Sequence, residues 1–337
     1  MPDIGQLFVL AAIGATLCII FIVALRPFMA RYIIARPNVR SSHIAPTPQG
    51  GGIAVIGATT IVIACVLVFE PHLFSNPHQL AVTFVAVLGL AIVGIIDDVR
   101  PLNALPRLVL QAVAVIVVIA SLPTTLRIFP SMPWWLECAG LLVAGVWFVN
   151  LVNFMDGIDW MTVVEVVPIT AALSAFGLLG ALPRDATVVA IILCGAMVGF
   201  APFNRPVAQL FLGDVGSLPI GLLVGWLLIM LAADGHLAAA LLLPLYYLAD
   251  ATITILIRLT KGERVMQAHR THFYQRAKDS GFNVQQIVGH VFLANVVLAG
   301  LAALTLQVSI TFQALALLAG IILVGILLRT FAIKKRH

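Results

Sequence analysis

Residues 79–98 read QLAVTFVAVLGLAIVGIIDD. An uncharged, mostly apolar run from 79 to 96 ends on two adjacent aspartates. About 20 such residues, wound as a helix, cross the hydrocarbon of a bilayer. A carboxylate inside that hydrocarbon costs a few kcal/mol or more. The run therefore predicts a membrane span, with Asp97 and Asp98 at its end.

The same pattern recurs along the whole chain. Apolar runs predict helices at about 5–25, 50–69, 79–96, 105–122, 136–152, 160–180, 186–202, 216–233, 237–257, 285–307 and 311–330. Pro, Gly and polar clusters separate them, such as Ser75-Asn76-Pro77, Leu182-Pro183-Arg184 and Asp234-Gly235. The expectation is an all-α polytopic membrane protein with about 11 transmembrane helices. It forms one domain over residues 1–337, because no loop is long enough to fold alone. Composition agrees. Of 337 residues, 61% are hydrophobic and 10% charged, and the mean hydropathy is +1.10. A soluble domain averages about 25% charged residues. Residues 1–25 lack a basic leader and an A-x-A-like cleavage site, so we read them as a permanent span. Cys18, Cys65, Cys138 and Cys194 fall in or at the ends of separate apolar runs without C-x-x-C spacing, which predicts small buried residues rather than a disulfide or zinc.

Threading eleven spans sorts the 19 Lys and Arg sharply. All but Arg127 and Arg184 fall on one side, which the positive-inside rule makes cytoplasmic. The N-terminus is then outside and the C-terminus inside. The net charge of +5 follows from this topology and calls for no nucleic acid.

Five polar islands share the cytoplasmic side: Arg36–Gly52, Asp97–Asp98, Asn150–Asp159, Phe211–Ser217 and Arg264–Arg276. Adjacent side chains on a helix point about 100° apart, so Asp97 and Asp98 need not share a ligand. Asn150, Asn153, Asp156 and Asp159 recur every three residues, where consecutive members neighbour one another on a helix. Asp214 sits between Gly213 and Gly216 at a helix start, where glycines and free amides favour a phosphate or Asp214 caps the helix. The last island carries His269, Arg270, His272 and Arg276. H-x-x-H spacing invites zinc, but no cysteine or third histidine is nearby, and the arginines fit an anion-binding loop better. An electrostatic attraction to anionic lipid is the plainer reading. Arg40, His43 and three glycines add a first loop without the P-loop pattern. Oxygen ligands with few cysteines favour Mg²⁺, or Mn²⁺, over zinc. The islands together point to metal-dependent phosphate chemistry on a lipid.

The ordered set PTPQGGGIAV, GIIDDV, NLVNFMDGID, FLGDVGS and AHRTHFYQR resembles the polyprenyl-phosphate N-acetylhexosamine-1-phosphate transferases, glycosyltransferase family 4. The similarity runs from about residue 36 to 276. It implies transfer of a sugar-1-phosphate from a UDP-N-acetylamino sugar to undecaprenyl phosphate, with release of UMP, at the cytoplasmic face of a bacterial inner membrane. It also implies roles. Asp97 resembles the proton acceptor, with Asp98 beside it, and Asp214 the Mg²⁺ ligand, with Asn153 a second. Asp156 and Asp159 resemble residues lining the nucleotide or metal site. Phe211 resembles the ring on uracil, with Asn204 nearby. His269, Arg270 and His272 resemble the grip on pyrophosphate and sugar, faced by Arg40 and His43. A homodimer is compatible with the family.

The last loop, with His269-Arg270-Thr271-His272, looks like the branch that starts O-antigen or related lipopolysaccharide glycans. There the donor carries GlcNAc, FucNAc or QuiNAc. The usual DGIDG reads DGIDW here, with Trp160 in place of a glycine. Two alternatives stay open: a phospho-N-acetylmuramoyl-pentapeptide transferase, and a transporter or flippase.

Overall fold

A computed structural model describes residues 3–35, 46–264 and 269–333. The helices are α1 (Ile4–Tyr32), α2 (Gly51–Phe69), α3 (Pro77–Val99), α4 (Ala104–Ser121), α5 (Trp134–Met155), α6 (Met161–Leu178), α7 (Arg184–Asn204), α8 (Asp214–Leu231), α9 (Leu237–Leu242), α10 (Leu245–Thr260), α11 (Phe273–Asp279), α12 (Val284–Leu304) and α13 (Ile310–Ala332). Two short strands, Ile34–Ala35 and Thr47–Pro48, pair antiparallel beside the first island. The protein is all-α and polytopic. Local signals start several helices. The Asn76 side chain accepts from the Gln79 amide with Pro77 at the first helical position, and Asn283 with Gln286 forms a reciprocal cap on α12.

Ten helices among the described residues are long and apolar enough to cross a membrane. The expected ninth span, 237–257, is corrected: it is not one helix. α9 ends at Leu242 and α10 begins at Leu245. Pro244, between them, has no amide hydrogen to donate and its ring crowds the preceding turn. Ahead of α9 the chain turns through Ala232–His236, where Gly235 takes φ 92°. α10 leads back to the end where α8 begins. Its Asp250 accepts from the Tyr274 amide, and the Tyr274 hydroxyl reaches the Phe154 carbonyl at the end of α5.

α8 is the most enclosed of the spanning helices, and α13 the least. α2, α3 and α5 pack around it. Close approach at its first turn depends on glycine. A Cβ on Gly52 of α2 would lie 2.2 Å from the Gly216 Cα, and one on Gly94 of α3 would lie 2.4 Å from the Asp214 backbone. Without a hydrophobic drive between helices in lipid, such small-residue contacts govern association. Gly94→Val should therefore separate α3 from α8. We expect the variant to accumulate poorly or to lose several degrees of thermal stability in detergent, read by a thermal shift. Wild-type stability would show that the contact is not needed.

Candidate active site

The end of α3 meets the start of α8, and that junction organises the site. Asp98 turns toward α8. Its Oδ1 accepts from the Asp214 amide at 2.9 Å and its Oδ2 from the Val215 amide at 3.1 Å, while the Gln49 side-chain amide also donates to Oδ1. A carboxylate from another helix thus caps α8 and meets the positive end of its dipole. This corrects the expected phosphate cradle at Phe211–Ser217. Gly216 and Ser217 donate to the Gly213 carbonyl, so the first four amides of α8 are committed within the protein. The glycines of the first island serve packing as well: Gly51 and Gly52 donate to the carbonyls of Phe211 and Leu212 at 2.8 Å.

Asp97 points elsewhere, as neighbouring positions on a helix must. It accepts from the Leu102 amide at 2.6 Å and from Arg107 Nη1 at 3.0 Å. The same Nη1 lies 3.5 Å from Asp214 Oδ2. Asn153 Nδ2 donates to Asp214 Oδ1 at 2.7 Å and to Ser217 Oγ at 2.9 Å. Two carboxylates from α3 and α8 therefore share one cationic group from α4. The position between them takes positive charge and is lined by hard oxygen donors. That fits Mg²⁺, which uses one or two carboxylates and leaves its other positions to water and phosphate. Among the described residues no three His, Cys, Asp or Glu side chains converge as a closed metal cage.

The Asn150–Asp159 island wraps the next edge. Asn150 Nδ2 bonds Gln111 Oε1 at 2.6 Å and ties α5 to α4. Asp156, just past α5, accepts from the Thr162 hydroxyl. Burial pushes its carboxyl up to about 7 against that hydrogen bond, with Asp98 and Asp159 adding to the rise. Asp159 Oδ2 accepts from the Ala208 amide at 3.0 Å and holds the loop before Phe211. Asn204, buried, accepts from the Trp160 amide and donates to the Leu210 carbonyl at 3.0 Å. It braces both sides of that loop.

Trp160 adopts φ 66°, the left-handed region that a glycine takes without strain. Its indole N–H to the Ala201 carbonyl at 2.7 Å and its amide bond to Asn204 hold it there. Phe211 is half-buried at the same rim, with its amide on the Pro48 carbonyl.

The raised Asp156 has a consequence for stability. A carboxyl that keeps its proton to about pH 7 when folded, but ionises near 4 when unfolded, stabilises the fold at low pH. That contribution is lost as pH rises through the folded value. The detergent-solubilised protein should therefore lose stability between about pH 4 and pH 7, and Asp156→Asn should flatten this slope. An unchanged slope in Asp156→Asn would refute the assignment.

The last island closes over the end of α5. His272 is buried, its Nδ1 3.3 Å from Asp250 Oδ1, and its ring stacks on His269 at 4.9 Å. Burial, helped by His272 and Arg258, pushes His269 down to about 4, so its imidazole is neutral at pH 7. Burial, with Asp250 and Asp156 nearby, raises the Tyr274 phenol, which stays protonated and donates to Phe154. Gly157 permits this: a Cβ there would lie 2.0 Å from the Tyr274 hydroxyl oxygen. Arg270 lies 3.9 Å from Asp279, and Arg276 lies over the Phe273 ring. Arg40 and His43 lie outside the described residues.

The described parts of all five islands thus gather at one end of the bundle. Asp97, Asp98, Asn153 and Asp214 touch one another directly or through one group. Asp156, Asp159, Asn204 and Phe211 form the adjoining rim. Sequence reasoning missed Arg107, Gln49 and Asp250. Arg107 was visible only as a cation on the right side, and Asp250 as a lone acid within an apolar run.

An all-α membrane protein with acidic, amide and histidine side chains gathered at one end defines the class. Comparison with known proteins then places it. A family model described as glycosyl transferase family 4 matches residues 80–232. The decaprenyl-phosphate N-acetylglucosaminephosphotransferase of Mycobacterium tuberculosis is 26% identical over 94% of this chain and 87% of its own length. The phospho-N-acetylmuramoyl-pentapeptide-transferase of Streptococcus thermophilus is 27% identical over 72% of this chain and 77% of its own. Over residues 80–232 the chain is similar to glycosyl transferase family 4, its relatives are polyprenyl-phosphate sugar-phosphate transferases, and its apolar helices make it a multi-pass membrane protein.

Proposed function

We propose that the protein transfers an N-acetylamino-sugar-1-phosphate from a UDP-sugar to undecaprenyl phosphate at the cytoplasmic face of a bacterial inner membrane. The observation that carries this reading is the pair Asp97 and Asp214, held across α3 and α8 with Arg107 between them. Asp97 accepts the proton of the lipid phosphate. The freed phosphate oxygen forms a bond to the β-phosphorus of the donor, the bond from that phosphorus to the α–β bridging oxygen breaks, and UMP leaves. Atoms and charge balance without ATP, since one phosphoanhydride replaces another. Asp214 would hold Mg²⁺, with Asn153 beside it, and the ion would supply charge compensation for the donor pyrophosphate. Asn153 fixes Asp214 through its amide, and Asp98 fixes the backbone that carries Asp214. Arg107, on the same acids, is placed to pair with phosphate oxygens as they arrive.

The branch, though not the particular sugar, is read from the last loop. Its His269-Arg270-Thr271-His272 reads as the branch that starts O-antigen or related surface glycans, in which the sugar is GlcNAc, FucNAc or QuiNAc. The test is to incubate membranes containing the protein with undecaprenyl phosphate and single UDP-sugars, then weigh the lipid product. A lipid-pyrophosphoryl N-acetylamino sugar that disappears with EDTA and returns with Mg²⁺ is expected. A product formed only from UDP-muramyl-pentapeptide would move the protein to the other branch, and unchanged yield in EDTA would remove the metal.

A further inference from the structure

Asp250 lies in α10 and is fully buried, where an ionised carboxylate is expensive unless its oxygens are satisfied. They are satisfied in an informative way. Oδ1 accepts from the Phe273 amide at 3.0 Å and faces His272 Nδ1 and Thr254 Oγ1, both at 3.3 Å. Oδ2 accepts from the Tyr274 amide at 3.1 Å and from the Tyr246 hydroxyl at 3.3 Å. Three of these five donors belong to the last loop, which a carboxylate on a rigid helix thereby fixes. The held loop then touches the acid pair's own support. The His272 ring lies 6.2 Å from the Phe154 ring, and Tyr274 bonds the Phe154 carbonyl. Phe154 follows Asn153, whose amide bonds Asp214.

We propose that Asp250 is the positioning residue of the transferase: it fixes His272 with its Nδ1–H toward the carboxylate and its Nε2 away from it, and so sets how the loop meets the donor. A neutral imidazole has one donor and one acceptor nitrogen, and a carboxylate at one of them decides which is which. The inference rests on the transferase reading above. Misplacing a substrate-orienting group by about 1 Å costs up to roughly 100-fold in rate.

The test is a double-mutant cycle of Asp250→Asn and His272→Ala, assayed in membranes by UMP release with the donor found active. Protein amount and thermal stability are measured alongside. Asp250→Asn should lower kcat/KM for the UDP-sugar by roughly 10- to 100-fold and leave KM for undecaprenyl phosphate unchanged. In the His272→Ala background Asp250→Asn should cost at most about twofold more, because the two act as one unit. Full additivity, or wild-type constants in folded Asp250→Asn, would overturn the proposal. Should Asp250→Asn fail to accumulate, Asp250→Glu keeps the charge but moves it by one methylene. A folded Asp250→Glu is expected to lose about tenfold in kcat/KM for the UDP-sugar, and wild-type constants in it would again refute the proposal. Wild-type membranes that release no UMP from any UDP-sugar would sink the functional reading itself, and this inference with it.

Discussion

Asp214→Asn is expected to leave the protein folded in the membrane and to lower sugar-phosphate transfer by at least about 10²–10³-fold, the cost of losing one preorganised electrostatic group. The substitution is nearly isosteric and Asn153 can still bond the new amide oxygen, so packing at the start of α8 survives. The negative charge does not. Arg107 would then pair with Asp97 alone, and the carboxylate proposed to hold the divalent ion would be gone. Asp97→Asn should do the same from the α3 side, since it removes the proposed proton acceptor. The two losses should not add, because the carboxylates act on one cation and one substrate. UMP release, normalised to protein in the membrane, gives the answer. Wild-type turnover in either variant would remove that carboxylate from the chemistry.

Asp98→Ala should be damaging for a different reason. It removes a carboxylate that satisfies two first-turn amides of α8 and meets that helix's dipole. A lost cap costs about 0.5–2 kcal/mol, and the charge–dipole term adds up to about 2 kcal/mol in a partly buried setting. The affected backbone carries Asp214 on the most enclosed spanning helix, so stability and activity should fall together. Asp98→Asn keeps one acceptor oxygen and should lie between alanine and wild type in thermal stability. Gln49→Ala removes one of three donors to Asp98 and should cost less than either. If Asp98→Asn kept full stability yet lost all transfer, Asp98 would act chemically and not as a cap.

The spans could be read from the sequence because membrane hydrocarbon imposes length and composition on each helix independently of its neighbours. The ninth failed where an apolar average hides one residue: Pro244 is unremarkable to a hydropathy sum and decisive for the backbone. The acidic islands were legible for a related reason. Carboxylates at span ends are costly, and their clustering on one side needs no knowledge of packing. Their pairings were not legible. Asp97 and Asp98 differ only in which way each faces, and that depends on α8 lying against Gly94. The glycines at 213 and 216 suggested a phosphate cradle, since glycine frees backbone amides. Here they let helices touch, and the amides were already taken. Asp250 carried no readable signal, because its partners come from a loop twenty residues later.

The central claim is that the donor's β-phosphorus moves to the lipid and its α-phosphorus leaves with uridine. It is tested most directly with UDP-N-acetylglucosamine, or whichever donor proves active, carrying ³²P at one position at a time. With undecaprenyl phosphate and Mg²⁺ present, label from the β position should partition into the organic phase, and label from the α position should remain in water as UMP. Label from the α position entering the lipid, or β label staying in water while UDP is released, would contradict the account.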